Sequence, residues 1–158
     1  MNRSDSAIRI RYAEEADRDF WLTLDAHLDP AGFARKVREK TGYVLTRDRQ
    51  MLAILRFSLF WDSIPFCNML YVKDGERRKG YGRMLTERWE ADMKARGYDL
   101  VLTSTQSDET AQFFYRAIGY RECGNLQLPF PGHEQPTELI LGKALVNKRT
   151  DADGCAPF

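Results

Sequence analysis

At 158 residues, 43% of them hydrophobic and 30% charged, the chain is sized for one domain with a real core rather than two. Its formal net charge of +1 argues against a nucleic-acid binder working through a broad basic face. No apolar run approaches the roughly 20 residues of a membrane span, and Met1-Asn2-Arg3-Ser4-Asp5-Ser6 lacks the apolar region of a signal peptide.

Ile8-Arg9-Ile10-Arg11-Tyr12 alternates and predicts a first strand. Phe20, Trp21, Leu24 and Leu28 then fall at helical spacing on one apolar face. Asp29-Pro30 reads as a cap followed by a first-turn proline of a second, short helix. Phe33 and Val37 give that helix its buried side, and Gly42 is expected to end it in the left-handed conformation. Strands are predicted over 43–47, 51–61 and 66–72, joined by polar turns at 48–50 and 62–65 that are too short for parallel crossovers. They form an antiparallel meander.

A helix from Gly80 carries Tyr81, Leu85, Trp89 and Met93 at four-residue steps, and Gly97 stops it. The connection to a strand over 100–105 is long enough for a parallel pair. Ser107 or Asp108 is expected to cap the next helix, which Gly119 ends. Two last strands, over 120–128 and 137–145, flank a loop with Pro129, Pro131 and Gly132. From Asn147 the chain is polar and aperiodic and is expected to be a disordered tail over 147–158. No internal repeat or second domain is visible, so residues 1–146 read as one domain.

Cys67, Cys123 and Cys155 are odd in number and lack metal-ligand spacing, which predicts a reduced cytoplasmic protein without bound metal. Cys67 and Cys123 read as small core residues. Trp21, Trp61 and Trp89 also read as core, with Trp61 placed to line an acceptor mouth. Asp25 and Asp29 read as solvent-facing charges, with attraction of a cationic amine as the alternative, and His27 and His133 as surface or helix-end residues.

The chemistry concentrates in Arg77-Arg78-Lys79-Gly80-Tyr81-Gly82-Arg83, between a strand and a helix start. The first turn of a helix leaves backbone N–H groups unpaired at the positive end of its dipole, so this placement suits a phosphorylated ligand. Glycine lets the backbone approach an anion, and Arg77, Arg78, Lys79 and Arg83 add positive charge. Two familiar phosphate loops fail. A dinucleotide fingerprint starting at Gly80 wants a third glycine where Leu85 stands. A P-loop read from Gly75 needs Lys and Ser or Thr where the chain has Tyr81 and Gly82.

What remains, Arg77-x-x-Gly80-x-Gly82, resembles the acetyl-CoA loop of the GNAT superfamily of N-acetyltransferases. The later order supports the resemblance: Gly97-Tyr98, the strand over 100–105, then Phe113-Phe114-Tyr115-Arg116-Ala117-Ile118-Gly119-Tyr120, with Tyr120 where the family signature usually has Phe. The resemblance implies a single-domain α/β GNAT fold, β-α-α-β-β-β-α-β-α-β-β, with helices on both faces of a mixed, largely antiparallel sheet of about six or seven strands.

It also implies roles. Acetyl transfer to an amine needs a neutral amine, hence a base or proton path, and a stabilised carbonyl oxygen. It also needs a protonated leaving thiolate and two substrates held together, an orientation effect on the order of 7–11 kcal/mol. By the resemblance, main-chain groups of Leu70, Tyr71 and Val72 bind the pantetheine arm of acetyl-CoA, and an N–H near Leu70 polarises the acetyl carbonyl. Residues Arg77 to Arg83 hold the pyrophosphate, with Arg78, Lys79, Gly80, Tyr81, Gly82 and Arg83 lending N–H groups. Tyr115 aligns with the tyrosine that protonates the coenzyme sulfur, and an ordinary pKa of about 10 keeps a phenol able to donate. Asp108 stands where many members carry an Asn that contacts the cofactor; Asp can accept such a bond but not donate it.

The strand over 66–72 holds no carboxylate, so the base is open among Asp62 at the hairpin tip, Glu138, His133 and ordered water. By the resemblance the acceptor is expected to be a small-molecule or peptide amine, with no nucleic-acid or membrane partner. A homodimer is compatible with the resemblance. The missing strand carboxylate also admits an alternative, a non-catalytic acyl-CoA-binding module or sensor.

Overall fold

The computed structural model describes residues 7–145. The expected domain boundary at 146, the tail over 147–158 and Cys155 lie outside the described residues. Strand β1 (Ile8–Tyr12) leads through one 3-10 turn at Glu15–Asp17 into α1 (Arg18–Leu24) and α2 (Pro30–Glu39). The meander β2 (Gly42–Arg47), β3 (Gln50–Phe60) and β4 (Ile64–Val72) follows. Then come α3 (Tyr81–Ala95), β5 (Leu100–Gln106), α4 (Ala111–Ala117), β6 (Arg121–Leu126) and β7 (Glu138–Ala144). This is the expected order. All seven strands join one sheet, β1-β2-β3-β4-β5-β7-β6, in which β4 and β5 run parallel and every other neighbouring pair antiparallel.

Strand alternation divides the core between the two faces. Tyr43, Leu45, Leu55 and Phe57 point to one side, where the stripe Tyr81, Leu85, Trp89 and Met93 of α3 packs with Tyr115 of α4. Val44 and Ile54 point to the other, under Trp21 of α1 and Phe33 of α2. Gly97 and Gly119 end α3 and α4 as expected. Each follows its helix at positive φ (94° and 99°), and the next residue's N–H reaches back into the last turn: Tyr98 to the Met93 carbonyl at 3.1 Å, Tyr120 to that of Tyr115 at 3.0 Å.

Several expectations need correction. Helix α1 stops at Leu24, because Asp25 turns extended (φ −118°, ψ 92°) and its carboxylate is drawn to Arg56, so Leu28 lies beyond the helix. Asp29 does cap α2, accepting from the Gly32 N–H at 2.6 Å, but the left-handed residue at the helix end is Lys40 (φ 54°), not Gly42. Gly42 opens β2 and is small for another reason: a Cβ there would lie 3.2 Å from the Trp21 ring. Neither Ser107 nor Asp108 caps α4, which starts after Thr110 with no side-chain cap bond. The adjacent Glu109 instead folds back on β5, accepting from Thr105 Oγ1 (2.8 Å) and the Gln106 N–H (3.1 Å). Trp21 and Trp89 are fully buried, whereas Trp61 is 77% exposed on the β3–β4 turn. Cys67 is buried as expected, but Cys123 sits exposed on edge strand β6.

Candidate active site

The site begins with a defect in the sheet. Arg56 pairs with Met69 and Phe57 with Cys67, so Asn68 is an extra residue on β4, a β-bulge. Bulges bend the strand that carries them. Here β4 pairs with β5 only at Phe66–Leu102 and Cys67–Thr103, just before the bulge, while Thr103 Oγ1 donates to the Cys67 carbonyl at 3.1 Å. Beyond it the two parallel strands part, and a cleft of about 820 Å³ opens between them. Leu70, Tyr71 and Val72 line one wall, Ser104, Thr105 and Gln106 the other, and Phe114 and Tyr115 close it from the helix side. The splayed strands offer main-chain groups to an extended ligand, which can add to the sheet as another strand does.

At its far end the cleft reaches Arg77 and Gly82. The turn before α3 takes positive φ at Gly75 (83°), Arg78 (62°) and Gly80 (86°), the last being the N-cap. No side chain caps α3, its first turn has no acid, and among the described residues no acceptor takes the N–H of any residue from 78 to 83. Six main-chain donors at the positive end of a 15-residue helix are chemically able to hold an anion. The basic side chains are less free than their sequence suggests. Arg77 pairs with Asp74 (3.1 Å), Lys79 with Glu76 (2.9 Å) and Arg83 with Glu87 (2.8 Å), while Arg78 forms no ion pair among the described residues. These surface pairs are weak and exchangeable.

Tyr81 faces away from the loop. Its ring is buried in the core and its hydroxyl accepts from Arg47 Nη1 at 2.7 Å, so only its main chain is available to a ligand. A Cβ at Gly80 would meet nothing within 4 Å, so the demand there is for the left-handed backbone alone. Gly80→Ala is expected to cost about 1 kcal/mol, a Tm loss of about 2–4 °C by calorimetry, with weaker binding of phosphorylated ligands.

Tyr115 is 6% exposed and turns its ring edge-on to Tyr120 at 5.3 Å. Burial, with the neighbouring Cys67 adding to it, holds its phenol well above the ordinary value near 10, so it stays a proton donor at any physiological pH. Burial likewise pushes the Cys67 thiol up to about 12, which makes Cys67 wall rather than nucleophile. Asp108 lines the cleft at the turn before α4.

Of the bases weighed from sequence, only Glu138 lines the cleft. Asp62 and His133 line neither it nor the groove beside it. Asp62 occupies the hairpin tip in a left-handed turn (φ 55°), which places it past the closed, paired end of β4. Sequence reasoning missed His27, which lines the cleft from the α1–α2 connection. That connection is pinned from beneath. Asp25 is 1% exposed and accepts from Arg56 Nε (2.6 Å), Trp21 Nε1 (3.3 Å) and the His27 N–H (3.2 Å). Asp25 is therefore a buried anchor, not a solvent-facing charge. No linear spacing announces this link, since Arg56 lies on a strand 31 residues away. Among the described residues no acid, His or Cys cluster could hold a metal ion, and no helix is long and apolar enough to cross a membrane.

Solved structures share this fold at low identity. Ard1 from Thermoplasma volcanium superposes with a TM-score of 0.78 at 15% identity, over 89% of this chain and 99% of that one. The ribosomal-protein-S18-alanine N-acetyltransferase from Escherichia coli gives 0.70 at 15%, over 94% and 100%. Arabidopsis thaliana Naa50, in complex with the bisubstrate analogue CoA-Ac-MVNAL, gives 0.70 at 12%, over 86% and 97%. No curated protein sequence matches the chain. A family model described as the acetyltransferase (GNAT) domain matches residues 38–122, more than half of the sequence and the whole of the splayed strand, the turn and α3. The protein therefore belongs to the GNAT acetyltransferases, enzymes that take their acetyl group from acetyl-CoA.

Proposed function

We propose that the protein transfers the acetyl group of acetyl-CoA to a primary amine by direct attack within a ternary complex. One observation carries the reading: the opened β4–β5 cleft runs from a buried tyrosine to six unspent N–H donors at a helix start. The shape and donors fit a coenzyme with an extended arm and a diphosphate. When bound, acetyl-CoA supplies a thioester whose carbon–sulfur bond is exchanged for a carbon–nitrogen bond, one proton leaving nitrogen and one reaching sulfur.

The chain supplies the rest. Main-chain groups of Leu70, Tyr71 and Val72 orient the arm, and an N–H near Leu70 faces the developing oxyanion. The N–H groups of Arg78 to Arg83, with the neighbouring cations, hold the diphosphate. Tyr115 holds the proton destined for sulfur, and Asp108 accepts a bond from the cofactor. Glu138, on the cleft wall, is the carboxylate best placed to receive the ammonium.

The test is a spectrophotometric assay of thiol release across primary amines, with acetyl-CoA binding followed by calorimetry. The expected result is one-to-one binding and an N-acetyl product formed in step with free thiol. Absence of binding at millimolar acetyl-CoA would overturn the reading.

A further inference from the structure

On the sheet face opposite α3 and α4, a second cavity of about 570 Å³ adjoins the cleft. Asn68, Ser104 and Glu138 line both. The bulge residue of β4, the facing residue of β5 and the first residue of β7 thus form a polar neck between them. Beyond the neck the groove is largely apolar, with Phe60, Trp61 and Phe66 on one side, Leu126, Leu128 and Ile140 on the other, and Ser58 and Gln135 as uncharged polar lining. Among the described residues, Glu138 is the only charged one in its lining.

Two observations mark the groove as built for a ligand. Leu59, Phe60, Trp61 and Leu126, half of the large exposed apolar side chains among the described residues, gather on its wall. Phe60 also lies 4.6 Å from Trp61 and 6.0 Å from Phe66 between ring centroids, forming a continuous aromatic platform. The second is strain. Trp61 takes φ +53° at the hairpin tip, followed by Asp62 at +55°, in a turn geometry that favours Asn and Gly. A bulky aromatic residue is held there against its backbone preference and left exposed, which core packing does not explain.

Resting on the proposed acetyl transfer, we infer that the acceptor is an amine with a single positive charge and an aromatic or branched apolar group close to the nitrogen. The ammonium seats at the neck against Glu138, within reach of the cleft, and the apolar group lies on Phe60, Trp61 and Phe66. One carboxylate matches one ammonium. Polyamines and aminoglycosides would set their further charges on an apolar wall, at a desolvation cost that the groove does not repay. A free arylalkylamine and the first residue of a peptide present the same chemistry.

The experiment measures kcat/KM at saturating acetyl-CoA for phenethylamine, a tripeptide beginning with Phe, the same tripeptide beginning with Ser, and spermidine. In parallel, saturation-transfer NMR follows binding of phenethylamine and of the Phe peptide in the presence of coenzyme A. The expected result is a preference of at least tenfold for phenethylamine or the Phe peptide, and the better of the two identifies the source. Trp61→Gly, which relieves the turn, should raise Tm, yet raise KM for the apolar acceptors about tenfold with kcat little changed. Glu138→Gln should raise KM for all amines.

Spermidine or the Ser peptide preferred, or KM indifferent to Trp61→Gly, overturns the inference while acetyl transfer stands. Binding of phenethylamine or the Phe peptide that Trp61→Gly abolishes, with no thiol released from any amine, supports the groove and overturns the transfer reading instead.

Discussion

Changing Tyr115 to Phe is expected to lower kcat by about 10²- to 10⁴-fold, the range for loss of a positioned proton donor, while Kd for acetyl-CoA stays within about threefold. The split follows from where the residue sits. The ring of Tyr115 packs against Tyr120 and Phe114, and Phe keeps those contacts, so the fold and the cleft wall survive. The hydroxyl alone is lost.

Burial raises the phenol above its ordinary value, so the donor form persists as pH rises and is lost only on the far alkaline side. The kcat profile of the parent enzyme should therefore rise as the amine deprotonates and show no falling limb up to about pH 10, the unperturbed phenol value. A falling limb near pH 8 that disappears in Tyr115→Phe would place the donor pKa far below what this burial allows.

The second large effect is on stability. Asp25→Ala is expected to destabilise the fold by about 3–5 kcal/mol, as removal of one partner of a buried ion pair does. The side chains of Asp25 and Arg56 are 0% and 12% exposed, so the guanidinium left behind has little solvent to turn to. The Trp21 indole N–H and the His27 N–H lose their acceptor in the same stroke. For a domain of this length that is a Tm drop of roughly 6–20 °C, measurable by calorimetry. Pairing the change with Arg56→Leu should restore a large part of it, because the stranded charge is then gone. A single-variant loss below about 1 kcal/mol would show that the pair is solvated after all. Because Asp25 fixes the loop that brings His27 to the cleft, the variant should also raise KM for the amine.

What was legible in the sequence was periodic or local. The four-residue stripe from Tyr81 to Met93 fixes α3, and the short polar turns at 48–50 and 62–65 force an antiparallel meander. The Gly80 and Gly82 positions mark a helix start with its N–H groups unspent. The topology of the far sheet came from the family resemblance, since nothing local says that β7 inserts between β5 and β6.

The misses share a cause, namely that tertiary contacts decide them. Lys40 takes the left-handed position expected of Gly42, closing α2 two residues earlier, while Gly42 is needed for a tertiary reason, the Trp21 ring packed over it. Hydrophobicity alone makes Trp61 core, with an acceptor mouth as its other reading; the register of the hairpin puts it exposed on the turn. Asn68 reads as an ordinary strand residue until its partners show it to be the bulge that opens the cleft. The sequence offers Glu138 only as one of several bases, because its place at the neck depends on β7 lying beside β5.

The central claim, that the amides at the start of α3 grip a diphosphate while the parted strands receive the thioester arm, is tested most directly by amide NMR during titration with acetyl-CoA. The account predicts that the N–H signals of residues 78–83 move farthest, downfield and saturably, together with those of Leu70 to Val72. It predicts that dephosphorylated pantetheine moves only the latter group. Saturable binding that leaves the signals of residues 78–83 in place would contradict it.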